Sequence, residues 1–240
     1  MQAVAHRIVH GGPLYTRSVW ITDEVWQQLT QYNDLAPLHQ PQCLAGVHAF
    51  SEGFAGVPQV ACFDTAFHAT LPALETTFAI DRALTQSGVR RYGFHGLSYQ
   101  YVSEVLKSLS ARSAERLVMA HLGNGASICA TRGHQSCATS MGFSALDGLM
   151  MGTRSGAIDP GVLLYLLEQG WDRARIEKLL YKESGLLGVS GVSADMRTLR
   201  ADASEAARFA TDLFAHRVVK EIGAQTASIG GLDVLAFTGG

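Results

Sequence analysis

The stretch Thr139 to Gly161, TSMGFSALDGLMMGTRSGAIDPG, sets one basic residue, Arg154, among five glycines. Each glycine inside a helix costs about 0.5–1 kcal/mol relative to alanine, so a helix-forming sequence has no use for so many. A loop whose backbone must come close to a ligand does. Arginine presented from such a loop offers a planar set of donors to a phosphate or carboxylate. A glycine-rich surface turn carrying a solvated arginine is the other reading of the same residues. Asp64 closes the apolar run Gln59–Phe63. The C-terminal end of a buried strand is where α/β proteins place functional acids, and also where an N-cap for the next helix belongs. His95 lies between glycines in Arg91-Tyr92-Gly93-Phe94-His95-Gly96, ahead of a helical pattern from Ser98 to Leu109. In that place it is a structural donor or a catalytic one. In His121-Leu122-Gly123-Asn124-Gly125-Ala126-Ser127, Asn-Gly is a strong hairpin signal, and Gly123 and Gly125 would also let backbone N–H groups approach phosphate oxygens.

The elements that must position these groups alternate between strand and helix, which predicts an α/β protein. Ala3–Val9 reads as a strand ending at Gly11-Gly12, carrying Arg7 between His6 and His10. Thr22 caps a helix over Val25–Tyr32, with acids in its first turn. Leu35–Pro41 is bracketed by prolines and cannot be helical throughout, and a helix follows over about Cys43–Phe50. Further strands are expected at Gln59–Phe63, Arg116–Ala120, Ile128–Thr131 and Leu232–Phe237. Helices are expected at Asp172–Tyr181 and Glu205–Ala227, with a Gly/Ser loop over Leu186–Ser193.

A chain of 240 residues can bury a sizeable core in one large or two smaller domains. Its net charge of −2, with no basic cluster, gives nucleic-acid binding no support. The longest apolar runs, such as Val162–Leu167, are far too short to span a bilayer, and the N-terminus has no apolar signal region. Cys43, Cys62, Cys129 and Cys137 lack CxxC spacing, as expected of reduced thiols in a cytoplasmic protein.

The motifs HRIVHGG, LAPLHQP, FDTAFH, RYGFHG, HLGNGAS, TSMGF…GLMMGTRSGAIDPG and a terminal FTGG occur in one order along the chain. Together they resemble the acetate and propionate kinase family over essentially the whole sequence. The resemblance implies an actin-like ATPase fold of two ribonuclease H-like domains, here incomplete at both ends, with residues 1–66 in the first domain and 67–240 in the second. It implies ATP-dependent, reversible phosphorylation of acetate by direct in-line transfer, with Mg²⁺ accompanying ATP or ADP.

Residue by residue, the resemblance gives Asp64, His95 and Arg154 catalytic roles: Asp64 orients acetate near the metal, and His95 and Arg154 stabilise the transferring phosphoryl group. Arg7 would hold the substrate carboxylate. Val9, Leu38 and Phe94 would line the methyl pocket, with His39 in the surrounding shell. His121, Leu122, Gly123, Asn124 and Gly125 would contact the phosphates; Asp195, Met196 and Arg197 would lie near the adenosine; Gly239 and Gly240 would open a further nucleotide loop. The family's own metal ligands lie outside this sequence. Ala145 stands where the family usually has proline, which keeps propionate open as the substrate. Two family elements, an N-terminal phosphate loop and the segment after FTGG, are not in the sequence. The chain by itself is therefore expected to be weakly active or inactive, with a non-catalytic nucleotide-binding remnant as the alternative. The complete protein is expected to be a homodimer. A hinge near Asp64–His68 is expected between the domains.

Overall fold

The computed structural model describes residues 1–36 and 39–239. Strands β1 (Val4–Ile8), β2 (Val19–Trp20) and β3 (Gln59–Phe63) form a first sheet in the order β1-β3-β2, with β1 parallel and β2 antiparallel to β3. Helix α1 (Asp23–Gln31) begins as the sequence predicts, because the Thr22 side chain accepts the Val25 N–H and Asp23 and Glu24 fill the first turn. Helix α2 (Gln40–Gly53) starts earlier than Cys43. Pro41 falls within its first turn, where the missing N–H removes no helical bond. Ile8, Ala61 and Phe63 face these helices and pack with Leu29, Leu44 and Val47.

After β3 come a short 3-10 turn (Ala66–Thr70) and the helices α3 (Ala73–Thr76), α4 (Arg82–Gln86) and α5 (Gly96–Leu109). The second sheet opens with an antiparallel meander: β4 (Leu117–Leu122), β5 (Ala126–Arg132) and β6 (Gln135–Thr139). Helices α6 (Pro160–Glu168), α7 (Arg173–Lys182), α8 (Gly185–Ser190), α9 (Met196–Ala201) and α10 (Glu205–Ser228) then lead to β7 (Val234–Thr238), which pairs parallel to β4. The order is β6-β5-β4-β7. The expected domain division at residues 66 and 67 falls within the 3-10 turn, which packs against β3, β6 and α5.

Strand β4 is buried on both faces, hence the unbroken apolar run Leu117–Ala120. Leu117 and Met119 meet Tyr99 of α5 and Cys129, while Val118 and Ala120 meet Ile128, Val218 and Ile229, with Phe214 and Ile222 of α10 beside them. The start of β7 is fixed electrostatically by the residue before it. Asp233 accepts from Arg116 Nε at 2.5 Å and is also paired with Arg112, and hydrogen bonding to Arg116 holds its carboxyl well below the usual range.

The structure departs from expectation at Leu186–Ser193, where α8 replaces a loop. A six-residue segment with two glycines has no propensity of its own. It is helical because Leu186 inserts into the cluster of Met150, Leu199, Ala207 and Ala210, and Gly191, at φ 66°, closes its C-terminus. Strands β2 and β6 and helix α6 also escaped the sequence patterns.

The sheets meet where α5 begins. Gly96 N–H donates to the Asp64 carbonyl at 2.8 Å, and a Cβ at Gly96 would lie 2.2 Å from that oxygen and 2.9 Å from Phe67 Cβ. Gly96→Ala must therefore push α5 off the end of β3, and a loss of about 1–3 kcal/mol is expected by equilibrium denaturation. Gly46, in the middle of α2, has nothing within 4 Å of its Cβ position. There alanine is expected to stabilise by about 0.5–1 kcal/mol.

Candidate functional site

Parallel pairing of β1 with β3 sets Arg7 beside Cys62, and the two-residue strand period puts Asp64 on the same side. Ile8 and Phe63 take the core side. Arg7 Nε donates to both Asp64 oxygens at 3.1 and 3.0 Å, and Nη2 donates to Oδ2 at 2.5 Å. The Asp64 side chain is only 2% exposed, whereas that of Arg7 is 64% exposed. The arginine thus satisfies a buried carboxylate through Nε and Nη2, and its Nη1 makes no hydrogen bond among the described residues.

His95 reaches the site from the start of α5 with φ 58°, a left-handed conformation that histidine adopts more readily than most residues. The preceding turn rests on His68, the buried histidine of FDTAFH. Its Nε2 bonds the Phe94 carbonyl at 2.9 Å and its Nδ1 the Ser136 hydroxyl at 2.8 Å. His95 Nδ1 meets Ser127 Oγ at 2.8 Å, and its ring stacks on His121 with centroids 4.4 Å apart. Burial, reinforced by His121, Arg7, Arg154 and His68, pushes His95 down to about 3, so the ring is neutral near pH 7. His121 is also pushed down, mainly by burial, and its Nδ1 bonds Ser98 Oγ at 3.0 Å. His39 is lowered by burial and then by Arg154 and Arg7.

The Arg154 loop is wedged between neighbours. Gly152 N–H donates to Asn124 O at 3.1 Å, and Ser184, Leu186 and Leu187 donate to the carbonyls of Thr153, Met151 and Gly152. Asn124 Oδ1 is 2.1 Å from where a Gly152 Cβ would lie, so glycine alone lets the HLGNG and GTRSG loops interlock. Arg154 Nη1 donates to Ala145 O at 2.7 Å, and no carboxylate among the described residues lies within 4.0 Å of the guanidinium. Burial and Arg7 both lower its proton affinity. A part-buried arginine without a counter-ion is a ready anion site. The Cβ position of Gly125 lies 3.2 Å from His95 Nε2 and 3.5 Å from Arg154 Nη2, so both groups converge on the β4–β5 turn.

A small hollow beside them is lined by Val9, Leu35, Ala36, His39, Phe94, Ser144, Ala145 and Tyr181. Val9, Phe94 and Ala145 thus share one cavity; Leu38 lies outside the described residues. Leu35, Ala36, Ser144 and Tyr181 were not singled out in the sequence. Leu35 and Ala36 belong to the proline-bracketed stretch and Ser144 to the glycine-rich one, but Tyr181 lies in the last turn of an ordinary helix and carries no local signal.

His121–Gly125 form the end of β4 and its turn, and parallel pairing of β7 with β4 brings Gly239 alongside. A Cβ on Gly239 would lie 3.0 Å from His121 Cε1 and 3.1 Å from Gly123 N. Gly240 lies outside the described residues. Asp195 caps α9, accepting the Arg197 and Thr198 N–H groups at 2.7 and 3.3 Å. The exposed Arg197 guanidinium donates to it at 2.8 Å, and these bonds hold its carboxyl down at about 2. Met196 packs against the cluster around Met150. For all three, the local contacts are those of a helix start.

The donor chemistry bears on a metal. Mg²⁺ prefers oxygen ligands and, beside a nucleotide, takes one or two carboxylates plus phosphates and water. Asp64, paired with Arg7 and joined through its backbone to the start of the helix that carries His95, is an oxygen donor of the kind such an ion takes when it is shared with phosphate oxygens.

The acetokinase family model matches residues 1–240. The chain is 54% identical over 243 residues to an acetate kinase of Rhodopseudomonas palustris, covering 100% of this chain and 61% of that protein. It is 50% identical to an acetate kinase of Methylocella silvestris, covering 99% of this chain and 59% of the relative. Among solved structures, acetate kinase from Porphyromonas gingivalis superposes with a TM-score of 0.92 at 44% identity, over 100% of this chain and 62% of the other. A propionate kinase from Francisella tularensis superposes at 0.94 and 42% identity, over 99% and 63%. The chain spans about three fifths of the length of these relatives.

His10 and His68 are held down at about 4 by burial, and His95 at about 3. Below pH 6.5 the unfolded chain binds protons that these rings do not, so stability rises with pH across the window from about 4 to 6.5. Lowering the pH from 7 to 5 is expected to cost about 1–2 kcal/mol per histidine, read from denaturation midpoints. His68→Gln should flatten that dependence, and an unchanged slope would show that His68 is not held neutral.

Proposed function

The chain belongs to the acetokinase family, and on that premise we propose that it forms the central part of an enzyme that reversibly phosphorylates acetate with ATP. The single observation that carries this reading is the convergence of an uncompensated, part-buried Arg154 with a neutral His95 at the Gly125 turn. Acetate is already an anion at neutral pH and needs no strong base to act as a nucleophile. In-line phosphoryl transfer then depends on positioning and on neutralising charge at the equatorial oxygens. Arg7 steers the carboxylate through its free Nη1, and Asp64, fixed by Arg7, orients the attacking oxygen. Arg154 and His95 Nε2 donate to the transferring group, which water-poor surroundings make more effective.

Mg²⁺ bound with the nucleotide would supply further charge neutralisation, with Asp64 facing it. His121–Gly125 and Gly239 present backbone donors to the phosphates, and Asp195–Arg197 lie toward the nucleoside. Residues 1–66 and 67–240 act as two lobes closing about a hinge near Asp64–His68. The activity is that of the protein at its relatives' full length, as a homodimer in the cytoplasm; residues 1–240 alone are proposed to turn over slowly.

Propionate is the second reading. Ala145 leaves room in the hollow beside Val9 and Phe94, and one structural neighbour is described as a propionate kinase. One methylene changes discrimination by only about 10–200-fold, so kcat/KM for both acids in the same preparation decides between them.

The phosphoryl role is tested with Arg154→Ala in the longest natural chain that carries this sequence, using hydroxamate detection of acetyl phosphate. A loss of about 10³–10⁵ in rate with unchanged circular dichroism is expected. For residues 1–240 alone, calorimetric titration with ADP should show weaker binding in the variant. Equal turnover and equal binding in variant and parent would remove Arg154 from the chemistry.

A further inference from the structure

Behind His95 runs a chain of hydroxyls that the reaction as proposed does not use. Ser127 Oγ lies 2.8 Å from His95 Nδ1 and 2.5 Å from the Tyr99 hydroxyl. Ser127 is the last residue of HLGNGAS and sits on β5, while Tyr99 sits on the first turn of α5 and is fully buried. Among the described residues, Tyr99 Oη has no side-chain or carbonyl acceptor other than Ser127 Oγ. A buried hydroxyl proton left without an acceptor costs about 1–3 kcal/mol, so Tyr99 must donate to Ser127. Ser127 then accepts from the phenol, and its own proton has one remaining partner, His95 Nδ1. The direction of each bond follows from the one before it.

We propose that Tyr99 and Ser127 are positioning residues that fix the tautomer of His95, so that Nδ1 accepts and Nε2–H faces the Gly125 turn as a donor. In the opposite tautomer Nδ1–H donates to Ser127, and one buried proton then loses its partner: the phenolic proton if Ser127 donates to Tyr99, or the Ser127 proton if Ser127 accepts from both. Burial holds the Tyr99 phenol protonated, which keeps it a donor. The stack on His121 and the backbone of Gly96, docked on Asp64, fix the ring plane while the relay fixes its proton. A neutral imidazole with Nε2–H outward can stabilise an anionic group without itself transferring a proton, which suits a step in which charge, not protonation, changes.

The functional consequence rests on the acetate kinase reading, but the tautomer does not. Nitrogen-15 NMR of histidine-labelled residues 1–240 reads it directly. His95 is assigned by its loss in His95→Asn, and the expected result is an unprotonated Nδ1 with a protonated Nε2 near pH 7. Tyr99→Phe keeps the packing and removes only the hydroxyl. Ser127 can then donate or accept, and a mixture of both tautomers is expected. Ser127→Ala should also give a mixture, and Ser127→Thr should restore the single form. In the turnover assay, Tyr99→Phe should lower kcat about tenfold or more, with KM within about twofold. A protonated Nδ1 in the parent, or a single Nε2–H tautomer that survives Tyr99→Phe, overturns the proposal. If the parent shows the expected tautomer but its longest natural chain makes no acetyl phosphate, the relay stands and the kinase reading fails.

Discussion

The contact between Gly96 N–H and the Asp64 carbonyl is the constraint on which the site depends. Strand β3 delivers a buried carboxylate at its C-terminal end, and helix α5 delivers His95 at its N-terminus. Neither element fixes the other. Because glycine follows His95, the helix start can come down directly on the Asp64 backbone. The two sheets, each with its own core, are thereby held with their chemical ends together. The same close approach explains the order of the neighbouring motifs: His68, four residues after Asp64, holds the Phe94 carbonyl and so fixes the turn that carries His95.

Charge is then managed by burial. Two arginines point into the site; one is compensated by Asp64 and the other by no carboxylate among the described residues. The histidines around them, His39, His95 and His121, all lose proton affinity, chiefly through desolvation. Near neutral pH the positive charge of this cluster therefore comes from arginine alone, and the three rings are neutral. That division removes pH sensitivity near neutrality from the groups closest to the chemistry. It transfers the sensitivity to folding, through rings that must stay uncharged to remain buried.

The second sheet supplies rigidity rather than chemistry. With α5 on one face and α10 on the other, β4 and β5 are fully enclosed, and their turn carries the glycines to which His95 and Arg154 converge. Helix α8, which has no sequence signature, packs under the Arg154 loop and takes its carbonyls as hydrogen-bond acceptors. Elements that look like filler in the chain thus set the height of the arginine.

The sequence by itself determined the residue types and the order of the glycine motifs. It also determined the strongly patterned elements: the enclosed strand Leu117–Ala120, the Thr22 cap, the Asn-Gly hairpin and most of the long helix α10. These are legible because they depend on contacts within a few residues or on a repeating apolar period. It also marked Arg154, His95 and Asp64 as chemically suggestive, each with a structural alternative that local sequence could not remove. Tertiary structure decided what those residues face. It made Asp195 a helix cap with its own arginine, Arg7 the partner of Asp64, and His68 a structural pin. It added Tyr181, Ser144, Leu35 and Ala36 to the hollow, and it folded Gly185–Ser190 into a helix by burying one leucine. It also gave Ser127 and Tyr99, separated by 28 positions, a shared hydrogen bond. Long-range pairing and burial carry that information, and neither leaves a periodic or compositional trace in the residues concerned.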